Sequence, residues 1–177
     1  HNALRRLPAA TISLALGRAT LGGIDTAMVR DLSSGVTYWA ERGGGAFRDG
    51  RPIRTRPWDP RTELFLVNLG RHATARATAW AEKARRVRSL GCASLEMIMV
   101  AQGSGDAYLF ENDTEPRNLR VTDIAAGYRI LEEAGGGAAN AELASLEEFP
   151  LRLDRHTSVF AWGDDRLRDE ARELGYL

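Results

Sequence analysis

Residues Ala9 to Gly17 (AATISLALG) alternate β-branched or large apolar side chains with small ones, the period of two expected of a strand packed on at least one face. Two further strand-like runs, Thr26 to Asp31 and Val36 to Glu41, flank the segment LSSG, where Ser33, Ser34 and Gly35 supply turn chemistry. The pattern predicts a hairpin or meander. A glycine cluster at Gly43 to Gly45, then AFRDG with its Asp49-Gly50 pair and RPIR beyond, predicts another strand, a tight turn and a short returning strand.

The rhythm changes at TRPWDPRT, where Pro57 and Pro60 interrupt both helix and strand and mark the best boundary. Residues 1–59 are expected to form the remainder of an antiparallel sheet domain and 60–177 an α/β domain. In the second part, Glu63 to Leu69 reads as a strand, ATARATAWAEKARR as a crossover helix, and Ala93 to Gln102 as a second helix. A strand DAYLF, a helix from Thr122 to Ala134, a strand TSVFAWG and a final helix DDRLRDEARELGYL follow. This alternation predicts a layered α/β sandwich. No internal repeat is present, and the short cluster Gly135 to Ala139 is the only biased tract.

Composition narrows the function. A chain of 177 residues, 44% hydrophobic and 27% charged, can bury one sizeable core or two small ones. Formal charge is zero, so no strong overall field draws it to nucleic acid or an anionic membrane, and small molecules or other subunits are the expected partners. Cys92 is the single cysteine, which excludes an internal disulfide, and no run approaches the roughly 20 apolar residues of a membrane span. A cytoplasmic setting is expected. Lys83 is the only lysine; the arginine-rich balance fits either genomic bias or bidentate phosphate recognition. The opening HNALRRLP has neither an initiator Met nor a signal-peptide core and reads like the middle of a longer chain.

Candidate chemistry centres on RNLRVTDIAAGYRILEEAGG, which puts Asp123 at a helix start. Thr122 or Asp123 can cap that helix, an oxygen accepting a first-turn N–H. Asp123 can equally offer an oxygen to a hard divalent cation, and the two roles are compatible. His72 and His156 lack the paired spacing of zinc ligands and read as ordinary loop or core residues. The glycines at 43–45 and 135–137 fit no nucleotide fingerprint; tight turns and helix termination account for them.

The wording TDIAAG followed by EEAGG resembles the second signature of the inositol monophosphatase family, WDxAAG then EAGG, with Val121 and Thr122 standing where the family has its usual residues before the Asp. LRVTDIAAG is more similar to the archaeal members that combine inositol monophosphatase and fructose 1,6-bisphosphatase activities than to the animal enzymes. RSLGCASLEMIMVAQGSGDAYLF resembles the family segment that leads into VAxGxxDAY, WAERGGGAFRDGRPIR its AxxGxGAFxNGxxI hairpin, and LPAATISLALG a strand before it. Together these cover nearly the whole chain in the family's order.

The resemblance implies an αβαβα fold of the inositol monophosphatase/fructose-1,6-bisphosphatase type whose N-terminal part is missing. It implies a magnesium-dependent phosphatase acting on inositol or sugar phosphate monoesters, inositol-1-phosphate or fructose 1,6-bisphosphate, in a homodimer. A 3'(2'),5'-bisphosphate nucleotidase of the same superfamily, or a non-catalytic dimerisation or binding module, are the alternatives. Asp123 would be a Mg2+ ligand. Arg71, Cys92, Ala93 and Glu111 would line the sugar pocket, and Arg117 and Arg120 would grip a second phosphate. Against these roles, Arg71 also reads as a solvated loop residue, Cys92 as small packing and Glu111 as a surface carboxylate. The family's first signature, DPxDGTxN, precedes the first strand, and His1-Asn2 would be its last two positions. Its aspartates and Thr, and an earlier glutamate, would then lie upstream. The 177-residue chain alone is therefore expected to be inactive and to expose the face of its first sheet on which partner helices dock.

Overall fold

The computed structural model describes residues 9–173. The first sheet is an antiparallel meander of β1 (Thr11–Gly17), β2 (Ile24–Asp31), β3 (Thr37–Glu41), β4 (Gly45–Arg48) and β5 (Arg51–Ile53) in sequential order. Asp49 and Gly50, both at positive φ, make the tight turn between β4 and β5, and Pro52 sits in β5, an edge strand where its missing N–H costs nothing. The register lines up Ala15, Ala27, Ala40, Ala46 and Ile53 in one row across the sheet. These small residues, with Val29 and Tyr38, face the core, and their size lets helices sit close.

Those helices are α2 (Ala93–Ala101) and α3 (Val121–Glu133), which pack on each other and on the first sheet. Gly127 of α3 faces Met97 of α2 so closely that a Cβ there would come within 3.0 Å of the Met97 side chain. On the other side α2 meets the second sheet, ordered β10 (Gly137–Ala139), β12 (Val159–Trp162), β8 (Ala107–Phe110), β6 (Phe65–Val67) and β7 (Val87–Arg88). A helix held between two sheets must be apolar round most of its circumference, and ASLEMIMVA is. The β6–β8 pair is parallel, as a crossover requires, while β12 runs antiparallel to β8.

The far face of the second sheet is covered by α1 (Ala75–Lys83) and α4 (Asp165–Glu173) over Phe65, Trp80, Phe160 and Trp162, whose neighbouring rings lie 4.8–5.4 Å apart. The described residues thus form four successive layers, sheet, helices, sheet, helices, of the expected mixed α/β sandwich. Most predicted elements appear with trimmed ends: the strand read over Glu63 to Leu69 spans three residues, and the helix read from Thr122 spans Val121–Glu133. Gly135 (φ +94°) ends α3 as expected, but Gly137–Ala139, read with the turns, forms an edge strand instead. It pairs with β12, and glycine is needed opposite Trp162 because a Cβ on Gly137 would stand 2.7 Å from the Trp162 ring. The short pair β9 (Leu119–Arg120) and β11 (His156–Thr157) carried no legible alternation. The reading of His1-Asn2 and the last residues of the final helix lie outside the described residues.

Candidate active-site cleft

Two helices begin at one place. The N-terminus of α2, entered through Gly91-Cys92, and that of α3, entered through Leu119-Arg120, open into a cleft of about 520 Å3 floored by β8 and walled by β1. Helix N-termini present unpaired N–H groups and a partial positive charge, so their convergence favours an anion.

Asp123, Cys92 and Ala93 all line this cleft, although they come from separate segments. Asp123 is the third residue of α3, and its Oδ2 accepts the Arg120 N–H at 2.9 Å. It therefore caps by reaching back one turn rather than by standing at the cap position itself, as a capping-box acid does. The side chain remains exposed at the rim. Ser94 ties the walls together: its Oγ accepts from Ser13 Oγ of β1 at 3.1 Å and donates to the Asp123 carbonyl at 2.9 Å. Cys92 is half-buried, with Sγ 3.6 Å from Thr11 Oγ1.

The other predicted residues lie elsewhere. Successive residues of β8 alternate between faces, so Tyr108 and Phe110 look into the cleft while Leu109 joins the aromatic layer. Glu111, one residue further, lies among the groups of α1: it is buried and accepts Arg76 Nε at 3.0 Å, Arg76 Nη2 at 2.6 Å and Thr74 Oγ1 at 2.7 Å. It is thus neither a surface carboxylate nor a cleft-lining one. Arg71 is an exposed loop residue. Arg120 is exposed at the α3 cap, its Nε donating to His156 Nε2 at 3.3 Å, and Arg117 is held by Asp113 and Thr114. His72 pairs with Asp113 through Nδ1 at 3.2 Å.

Among the cleft residues that the sequence reading missed, two are titratable. Tyr108 is fully buried, with no hydrogen-bond partner for its hydroxyl; burial, then the charges of Glu96, Cys92 and Asp123, push its phenol well above the usual range. Glu96 is 1% exposed, and burial pushes its carboxyl up to about 7 against the pull of N–H groups from Leu90, Gly91 and Cys92. The sequence held a signal for it: a carboxylate inside the apolar run Ser94 to Ala101 has to be buried with partners.

As to metal, no group of three or more His, Cys, Asp or Glu able to hold an ion exists among the described residues. Asp123 offers one oxygen where a hard cation gathers six or more, so these residues do not by themselves fit a divalent-cation site. What they offer is converging helix N–H groups suited to an anion. No helix among them is long and apolar enough to cross a membrane.

Residues 2–156 match the model of the inositol monophosphatase family, and the chain belongs to that family. It is 32% identical over 180 aligned residues to the fructose-1,6-bisphosphatase/inositol-1-monophosphatase of Methanothermobacter thermautotrophicus, covering 96% of this chain and 61% of the relative. It is 32% identical over 150 residues to the inositol-1-monophosphatase of Rhizobium meliloti, covering 80% and 53%. Among solved structures, a Pyrococcus horikoshii protein with similarities to inositol-1 monophosphatase superposes with a TM-score of 0.78 at 24% identity, over 95% of this chain and 63% of that one. The chain thus spans between 53% and 61% of the length of these curated relatives.

Proposed function

We propose that the protein hydrolyses phosphate monoesters of inositol or a sugar, the cleft between α2 and α3 taking the ester. The observation that carries this reading is the meeting of Asp123 with the Gly91-Cys92-Ala93 segment at two converging helix N-termini. Their N–H groups and dipoles suit a phosphate, and Ser13, Ser94 and Thr122 at the walls suit a polyol. Both curated relatives carry inositol-1-monophosphatase in their names, and one also fructose-1,6-bisphosphatase.

In this reading Asp123 contributes one carboxylate oxygen to Mg2+, whose other donors would come from outside residues 9–173. When bound, the ion would polarise the phosphate and lower the pKa of a water. The chain's own residues orient the ester, with Cys92 and Ala93 against the sugar and Asp123 fixed by the Arg120 N–H. Catalytic groups outside these residues, a homodimer and a cytoplasmic location belong to the same proposal.

The test is phosphate release from inositol-1-phosphate and fructose 1,6-bisphosphate by the complete protein, with and without Mg2+, in wild type and Asp123→Asn. The expected result is Mg2+-dependent release that the substitution lowers by about 10–100-fold or more, the scale on which groups supporting a metal site matter. No release from either ester, or an unchanged rate for Asp123→Asn, would overturn the reading.

A further inference from the structure

We propose that Glu96 is the positioning residue of the cleft: its buried carboxylate holds the backbone of Leu90, Gly91 and Cys92 in the conformation that presents Cys92 and Ala93 to the ligand. The inference rests on the cleft being the sugar-phosphate site.

The segment before α2 lacks the usual means of fixing itself. Cys92 stands at the cap position of α2 and makes no side-chain capping bond, and Gly91 is at φ +70°. The fixing group comes instead from inside the helix. Glu96, in the first turn of α2, turns back under the loop, and its Oε1 accepts the Leu90 N–H at 2.8 Å. The N–H groups of Gly91 and Cys92 lie close enough to favour the charged form of this carboxylate as well. A charge-assisted bond from the Leu90 N–H, with the next two N–H groups close to the same carboxylate, fixes the path of the loop where Cys92 supplies no cap. In this arrangement Glu96 acts through the backbone it holds.

Glu96 stands where charge is costly. It is 1% exposed, and the titratable groups that share the cleft lining with it are the Tyr108 phenol from β8, the Cys92 thiol from the loop and Asp123 from α3, with no cation among the lining residues. A carboxylate kept in such a place, on the inner side of a ligand-lining loop, costs stability that an apolar residue would not. The return on that cost is loop geometry. The ionised form offers only lone pairs to the Leu90 N–H and its neighbours, whereas protonation or amidation puts a donor among them.

Cys92 supplies a direct probe, because it is the only cysteine and lies in the segment Glu96 holds. In Glu96→Gln, at fixed pH, alkylation of Cys92 by iodoacetamide and hydrogen exchange at the Leu90, Gly91 and Cys92 amides should both accelerate by about tenfold or more, the equivalent of one lost charge-assisted hydrogen bond. Amides of β2 serve as the control. In the complete protein the same variant should raise KM for inositol-1-phosphate and leave KM for p-nitrophenyl phosphate, which has no polyol to orient, unchanged. Unaltered exchange and alkylation, or equal shifts for both substrates, would overturn the proposal. Should Glu96→Gln not fold, wild type compared at pH 6 and pH 8, after correction for intrinsic exchange, must show weaker loop protection at pH 6; equal protection overturns it. Loss of the sugar-phosphatase reading would appear separately, as absent turnover by wild type, since the loop measurements need none.

Discussion

Arg76 grips Glu111 with two donors, Nε to Oε2 at 3.0 Å and Nη2 to Oε1 at 2.6 Å, and so ties the first turn of α1 to the end of β8. Thr74, which caps α1 by accepting the Ala77 N–H, donates its own hydroxyl to the same carboxylate at 2.7 Å. Glu111 is largely buried and Arg76 about a third exposed, so solvent screens the pair only in part. Glu111→Ala should cost about 2 kcal/mol by leaving Arg76 without its main partner, and Glu111→Gln less. Urea unfolding measures the loss. KM of the complete protein for sugar phosphates should not move, and a raised KM with unchanged stability would return Glu111 to the ligand.

The outer face of the first sheet carries a row of directly opposed residues, Leu14, Met28, Trp39, Phe47 and Pro52, that crosses all five strands. Trp39 and Phe47 stack at 4.3 Å, and beside Leu14 (48% exposed) Ile12 and Leu16 are each 56% exposed. A patch this continuous on a water-facing sheet favours association. The 177-residue chain should therefore bind a hydrophobic dye and associate with rising concentration. Ile12→Lys with Leu16→Lys should reduce both effects and leave the unfolding midpoint nearly unchanged, as light scattering and thermal melts would show.

The raised pKa of Glu96 has a definite sign in stability. Its carboxyl titrates near 4.5 when unfolded and at about 7 when folded, so between these values the folded chain holds a proton that the unfolded chain has released. The stability this group contributes is present in full below about pH 4.5 and is lost as pH rises through about 7. The span is on the order of 3 kcal/mol. Wild type should lose stability between pH 5.5 and pH 8 relative to Glu96→Gln, which has no such proton; parallel pH profiles for the two would refute the burial argument.

Asp123 alone among the described residues stands where a cation ligand is proposed, and no cluster of three candidate ligands accompanies it. The isolated 177-residue chain should release no phosphate from either ester at millimolar Mg2+. Isothermal titration should show no divalent-ion binding in the micromolar range. Turnover by the isolated chain would mean that one carboxylate suffices, against what hard cations require.

Much of the architecture was legible because it follows from local chemistry. The alternation of ISLAL and the Asp49-Gly50 turn each fix backbone conformation within a few residues, and the meander appears where it was read. Asp123, Cys92 and Ala93 were legible as candidates because their surroundings are similar to family motifs, and the cleft gathers all three. The two-residue strands β9 and β11 were not, since so short a pairing has no period to detect and exists through its partner across 36 residues of chain.

The sequence by itself determined where most helices and the longer strands lie and that a carboxylate begins α3, because these depend on spacing along one segment. Only the tertiary structure decided that Tyr108 and Phe110 face the cleft while Glu111 joins Arg76, and that Glu96 reaches back to the loop before its own helix. The faces of β8 acquire meaning only when α2 covers one side and α1 the other. A strand's alternation says which residues part company, and what each half meets is set by packing.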